Sequence, residues 1–587
     1  MQFLTSDPLR RLGSTLALSL ILCGPALADQ TAAPVAAQSP RYDLYDDTIQ
    51  AVRARHGMVA SEQKLATEIG VAILRRGGNA IDAAVAVGFA QAVVLPAAGN
   101  IGGGGFMVIH EARTGRNIAL DFREMAPGRA SRDMYLDERG EVVPKRSTDT
   151  HLAVGVPGTV AGLIHALNKY GSLKLPEVMA PAIELARKGF VVSEHLATQL
   201  AANRDHLGRW PATKKIFFKG DRPLQAGEKL VQEDLADSLE LIAQRGASAF
   251  YSGPIAEKIA AEMSRHGGLI NLDDLKRYRV MEREPVTGDY RGYQIVSMPP
   301  PSSGGTHIVQ LLNMLSHYPL REYGAGSAQT IHIQAEAMKL AYADRSEYLG
   351  DPDFSKVPVK GLTSPAYAAE LVKQIDPAKA RPSAEIKPGR PQPYEGDQTT
   401  HYSVADGQGN VASTTYTLNL NFGSGIVAAG TGILLNNEMD DFSAKPGVPN
   451  AFGLIGGDAN AVAPYKRPLS SMSPTIVLKN GKPWLVTGSP GGSRIITTTL
   501  QTIIDAIDFD MNPAQAAITP RIHHQWLPDE LWVERGISPD TVRLLREKGH
   551  KVVPKRSFGV TQTIRIDANG FLGYADPRSP DGVAAGY

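Results

Sequence analysis

Cysteine is nearly absent: one residue, Cys23, in a chain of 587. It falls inside an N-terminal stretch that reads as a secretory signal, with Arg10 and Arg11 as the basic region, residues 16–22 as the apolar run and Ala26-Leu27-Ala28 as the cleavage site. Leu22 is not the small residue that a lipoprotein site wants before its cysteine. Cleavage after Ala28 leaves a mature chain without disulfides, a thiolate nucleophile or cysteine-ligated metal, and implies a periplasmic address. An excess of charge is lacking too. The net charge is +1, with no basic run interleaved with aromatics, so neither nucleic acid nor an anionic membrane is an expected partner. The apolar run of the leader is too short to span a bilayer. Zinc-protease spacing is missing, with no His-Glu-x-x-His run. His523-His524 is a poor metal pair, because adjacent strand residues face opposite ways. No metal and no cofactor is expected. Neither a G-x-S-x-G elbow nor a phosphate-binding Gly-Lys-Ser/Thr ending occurs.

What is present is the texture of a mixed α+β protein. After a polar stretch at 29–50, Leu65, Ile69, Ala72 and Ile73 recur at helical spacing, with Ser61 placed to cap and Gly77-Gly78 to stop. Asn79 with Asp82 predicts a capping box for a second helix, 80–94, ended by Pro96. The run Gly102 to Gly105 precedes a strand at 106–110 and reads as close backbone packing. Residues 155–280 alternate helices and loops, and 382–397 has the composition of a mobile tail. Beyond it, strands are expected at 400–405, 411–418, 475–478, 483–487, 561–566 and 571–575, with hairpin signals at Asn480-Gly481 and Asn569-Gly570, and a helix at 493–507. No regular βαβ rhythm appears, which argues against a doubly wound fold.

The chemistry concentrates in the last third. Thr399 follows a polar segment and begins a strand. Cutting Gln398–Thr399 would give its hydroxyl an α-amine in the same residue. Such an amine, with a pKa of about 7.7–8.0, is a base near neutral pH. The same hydroxyl can attack the carbonyl of Gln398, so one group serves cleavage and turnover. Gly491-Gly492 lies between a strand and a helix, where backbone N–H groups can meet a developing oxyanion. Arg123 can clamp a carboxylate, Ser470 and Ser471 can add donors, Glu438 and Asp441 can hold an ammonium, and Asn419 can orient it. Each of these alone is an ordinary surface charge or cap.

Together, Gln398-Thr399-Thr400-His401-Tyr402-Ser403, Thr417-Leu418-Asn419, Asn436-Asn437-Glu438-Met439-Asp440-Asp441, Pro468-Leu469-Ser470-Ser471-Met472 and Ser489-Pro490-Gly491-Gly492-Ser493-Arg494 resemble the γ-glutamyltranspeptidase family. The resemblance runs from about Ser61 to Tyr587. It implies the αββα sandwich of N-terminal-nucleophile hydrolases, and cleavage into a large subunit, 29–398, and a small one, 399–587, intertwined as one structural unit. It implies that Thr399 takes the γ-glutamyl group of glutathione or a related amide and passes it to water or to an amino acid or peptide. Thr417 would hydrogen-bond the nucleophile and assist maturation. Arg123, Asn419, Glu438, Asp441, Ser470 and Ser471 would bind the γ-glutamyl group, Gly491 and Gly492 would form the oxyanion hole, and the 298–305 segment would lie just behind the site. Glu438 stands where many bacterial members carry Gln. Phe452 stands where some carry a Tyr, on a lid loop at 446–457. Two other readings fit parts of the pattern. A cephalosporin or glutaryl acylase would share Thr399 without needing an ammonium site. A periplasmic amino-acid- or peptide-binding protein would have no use for self-cleavage.

Overall fold

Two seven-stranded sheets lie face to face in the computed structural model, which describes residues 49–391, 400–445, 447–451 and 453–587. The first runs in the spatial order Val52–Ala54, Gly570–Ala575, Gln562–Asp567, Lys482–Thr487, Thr475–Lys479, Tyr293–Ser297, Val286–Tyr290. The second runs Val583–Gly586, Gly57–Ser61, Thr400–Asp406, Val411–Thr417, Gly104–Glu111, Arg116–Phe122, Met281–Arg283. Every neighbouring pair in both sheets is antiparallel. Each sheet combines strands from before and after the predicted cut, so neither part owns a complete sheet.

Strand periodicity explains the layers. Alternate residues of the central strands, such as Phe106 and Val108, Ile476 and Leu478, and Val486 with Ile564, point between the sheets and fill one apolar core. The outward residues of the second sheet, Met107, Ile109, Tyr402 and Val404, meet the helices Lys64–Arg75, Ala80–Val94, Thr159–Tyr170 and Leu175–Lys188. The outer face of the first sheet meets Gly304–Leu315, Ala328–Tyr348 and Arg494–Ile507. The order is helix, sheet, sheet, helix. The helix Ala80–Val94 is buried along its whole length and has no polar face, because a sheet lies on one side of it and other helices on the other.

The capping box at Asn79 and Asp82 forms as expected. The cap of the preceding helix does not. Gln63 is its N-cap, accepting from Leu65 N at 2.7 Å, while Ser61 ends a strand and bonds Thr67 Oγ1 at 2.8 Å. The pull of the sheet outweighs local capping chemistry there. Nor is 382–391 a loose tail. Gly389 N donates to Asp344 Oδ1 at 2.7 Å, Tyr348 donates to Gly389 O, and the Trp526 indole reaches Ser383 O at 3.0 Å. Residues 392–399 lie outside the described residues, as do the predicted leader, Gln398 and Thr399, and Phe452.

Candidate active site

The site grows from the strand ends of the second sheet. Thr400 opens the strand that pairs with Val411–Thr417, and its register partner is Tyr416. Thr417 closes that partner strand and packs against Gly104. The glycine run is what allows this approach, since a Cβ on Gly102 or Gly103 would collide with Leu434 O and Thr417 O respectively. Thr417 Oγ1 accepts from Asn419 N at 2.8 Å, and Asn419 sits at φ 75°, which turns the chain sharply. Its amide donates to Asn437 O at 2.9 Å, and its buried Oδ1 has no hydrogen bond among the described residues.

Asn437 leads into a short 3-10 turn, Glu438–Asp441. The turn is held by Asn436, whose amide donates to Gly102 O and Gly155 O at 2.8 Å and accepts from Gly155 N and Glu438 N at 2.9 and 3.0 Å. From it, Glu438 and Asp441 both reach Arg123, one to each terminal nitrogen of the guanidinium. Arg123 Nε donates to Pro468 O at 3.0 Å and Nη2 to Leu469 O at 2.9 Å. The arginine is fully buried and engaged by four groups, so it does not stand open for a carboxylate as the sequence suggested. Glu124 lies alongside, 3.7 Å from Nη1, and neither of its oxygens accepts a hydrogen bond from another described residue.

One guanidinium thus faces three carboxyl groups. Burial pushes the Glu438 carboxyl well above its ordinary range, against the pull of Arg123. Burial likewise lifts Glu124 to about 7, with Arg123 again opposing. For Arg123, burial favours loss of its proton, but Glu438, Asp441 and Glu124 together more than offset it and hold the proton more tightly. The pocket is acid-rich, with three carboxyl groups around one guanidinium.

Pro468 and Leu469 carry Ser470 and Ser471 into place. Ser470 O accepts from Ser303 N at 2.7 Å and from the hydroxyls of Ser302 and Ser303 at 3.1 and 2.9 Å, so the 298–305 segment does stand behind the site. The Ser471 hydroxyl accepts from Arg345, a buried arginine of Ala328–Tyr348. One turn away, Tyr342 donates to Ser493 O and so ties Ser471 to the Gly491-Gly492 turn. Gly491 and Gly492 take φ of 133° and 69° between the strand Lys482–Thr487 and the helix Arg494–Ile507, and neither N–H is used by another described residue. A cavity of about 680 Å³ adjoins, lined by Leu420, Asn421, Arg494, Lys145, His206 and Arg209 among others. The described part of the expected lid forms a small hairpin in which Pro449 pairs with Ile455, and Ala451 N donates to Asp440 Oδ2 at 3.3 Å.

Sequence reasoning did not single out Arg345, Glu124, Asn436 or Glu62. Glu124 follows Arg123 directly, which was the available signal. Glu62 accepts from Thr400 Oγ1 at 2.6 Å and His401 N at 3.3 Å, and burial lifts its carboxyl to about 7. His523 and His524 do point apart, toward Thr497 and Asp529.

A family profile described as gamma-glutamyltranspeptidase matches residues 66–586, almost the whole of the described chain. The chain belongs to that family. It is 57% identical over 573 residues to a glutathione hydrolase proenzyme of Escherichia coli (strain K12), covering 97% of this chain and 98% of that one. It is 40% identical over 524 residues to an acylase ACY 1 proenzyme of Pseudomonas sp. (strain SE83), covering 88% and 91%. Among solved structures it is similar to a cephalosporin acylase from Bacillus halodurans, at a TM-score of 0.83 and 31% identity over 96% of this chain and 99% of that one. It is also similar to a Helicobacter pylori gamma-glutamyltranspeptidase, at 0.56 and 52% over 57% and 96%. These family members share the αββα sandwich of N-terminal-nucleophile hydrolases, and this chain is an enzyme of that fold. No helix among the described residues is long and apolar enough to cross a membrane.

Proposed function

We propose that this protein cuts itself between Gln398 and Thr399 and then moves γ-glutamyl groups from glutathione and related amides to water or to an amino acid or peptide amine. The observation that carries the reading is the cluster of Glu438, Asp441 and Glu124 around Arg123. A γ-glutamyl donor brings an α-carboxylate and an α-ammonium on one carbon. An arginine surrounded by an excess of carboxyl groups suits both: the donor's carboxylate takes over a guanidinium edge from Glu438, and the released acids meet the ammonium. Ser470 and Ser471 add hydroxyls beside the carboxylate, and the buried Oδ1 of Asn419 accepts from the ammonium.

Thr399 Oγ attacks the γ-carbonyl while its α-amine takes the hydroxyl proton. The carbonyl oxygen gathers charge toward the N–H groups of Gly491 and Gly492. The amine leaves with the proton, and an ester remains on Thr399. Water or an acceptor amine then opens it by the same steps in reverse order. Thr417 orients the nucleophile through the turn it shares with Asn419. The adjoining cavity offers the carboxylate of a leaving or incoming peptide the cations Arg494, Lys145 and Arg209, the last two shared with Asp149. The large and small chains stay together because each sheet needs both, and the leader directs the protein to the periplasm.

The acylase relatives make an amide lacking the ammonium the competing substrate. Release of an aryl amine from γ-glutamyl and glutaryl aryl amides, with and without a dipeptide acceptor, separates the two. Activity on the γ-glutamyl compound, raised by acceptor and absent in an uncut Thr399→Ala variant, is expected. Preference for the glutaryl compound would move the assignment to an acylase.

A further inference from the structure

Outside the site, two histidines and a glutamate converge at the edge of the molecule. His151 lies in the short 3-10 turn His151–Ala153. Glu262 is in the last turn of the helix Pro254–Arg265, and His266 is its C-cap. Nε2 of His151 is 3.0 Å and Nε2 of His266 is 3.5 Å from the same oxygen, Oε1 of Glu262. The three atoms lie within 4.8 Å of one another. The His151 and Glu262 side chains are 3% and 8% exposed, while that of His266 is 46% exposed. The two imidazoles stack at 4.7 Å, and the edge of Trp210 closes on His151 at 5.1 Å.

A buried carboxylate requires a cation or a dense set of donors. Among the described residues Glu262 pairs with these two imidazoles and with no lysine or arginine. A second His/Glu group, His332, Glu336 and His550, differs on this point, because Lys339 Nζ stands 2.8 Å from Glu336.

We propose that His151, Glu262 and His266 form a binding site for a divalent ion of the zinc type, with solvent completing the coordination. Two imidazoles and a carboxylate are a known zinc ligand set. Bonds of about 2.0–2.1 Å in a tetrahedron put neighbouring ligand atoms about 3.3 Å apart. The edges of 3.0 and 3.5 Å bracket that value, and the third lies within 4.8 Å, a gap that a turn of the half-exposed His266 ring would close. The ion would tie a helix to the loop that holds the acid turn. In that loop Ser147 donates to Asp440 Oδ1 at 2.6 Å, Thr148 O accepts from Asn437 at 3.0 Å, and Gly155 bonds Asn436. The site is therefore a clasp behind Glu438 and Asp441 rather than a centre of chemistry.

The test uses the processed wild-type enzyme, stripped with chelator and titrated with Zn²⁺ by calorimetry and with Co²⁺ by visible absorption. One ion per processed heterodimer is expected, with a tetrahedral cobalt spectrum and a thermal midpoint that rises with zinc. His266→Ala, at an exposed position, should weaken binding more than about tenfold and abolish the thermal shift, since even loss of an outer-sphere partner costs about 10–100-fold. Glu262→Gln should behave alike, and His195→Ala should bind as wild type. Failure of wild type to bind, or equal binding by His266→Ala, would overturn the site.

Discussion

Replacing Glu124 by Gln tests whether the acid cluster is governed by burial or by its arginine. The carboxyl is 3.7 Å from Arg123 Nη1. If that ion pair dominated, the folded chain would hold Glu124 ionised and lose stability in acid. Burial instead lifts the group from an ordinary 4.5 to about 7. The folded chain then binds the proton more tightly than the unfolded one. Its contribution to stability is complete below pH 4.5 and is lost as pH rises through about 7. At about 1.4 kcal/mol per pH unit, that interval is worth about 3 kcal/mol. Glu124→Gln is neutral at every pH and of the same shape, so it should gain about that much on wild type between pH 4.5 and pH 8. Loss of Glu124's charge also relieves Glu438, which adds to the gain in the same direction. The assay is urea unfolding at a series of pH values, in an uncut Thr399→Ala background so that one chain unfolds. Parallel curves for the two proteins, or a variant that loses ground as pH rises, would refute the reasoning.

Other perturbations read the same network. Arg123→Lys keeps the charge but gives up the planar fork that reaches Pro468 O, Leu469 O, Glu438 and Asp441 at once. Loss of one or two charge-assisted bonds, at about 1.5–3 kcal/mol each, should lower kcat/KM for a γ-glutamyl aryl amide at least about tenfold while self-cleavage proceeds; unchanged kinetics would remove Arg123 from the donor site. Asn436→Ala strands the groups of Gly102, Gly155 and Glu438 that it bonds, and should cost at least about 3 kcal/mol in urea unfolding. A loss under about 1 kcal/mol would mean that water replaces it. Gly103→Ala drives a methyl into Thr417 O and should block both folding and self-cleavage, read as insoluble or uncut chain on a denaturing gel.

The sequence made the chemistry legible better than the geometry. The strand-like runs 400–405 and 475–478, the Asn480-Gly481 turn and the Asn79–Asp82 box are local signals, and each became the element it announced. The glycine run at 102–105 signalled close packing, though nothing in it named Thr417 or Leu434 as the neighbours. What stayed hidden was long-range. Arg123 meets Glu438 and Asp441 more than three hundred residues away, and that pairing, rather than an open cation, is how the fold holds it. Arg345 sits in a helix buried on all sides, where no amphipathic face marks a functional residue. Ser61 looked like a cap because capping is a local preference, yet the sheet claimed it. The charge and proline content of 382–391 suggested freedom, while its backbone groups found partners on Asp344 and Trp526.

The central claim is that the small fragment's first residue carries the substrate's acyl group. Acid-quenched mass spectrometry during turnover of a γ-glutamyl aryl amide tests it. Two fragments are predicted, the smaller beginning at Thr399 and carrying one γ-glutamyl group at that residue. Turnover by an intact chain, or a γ-glutamyl group found on any other residue, would contradict the account.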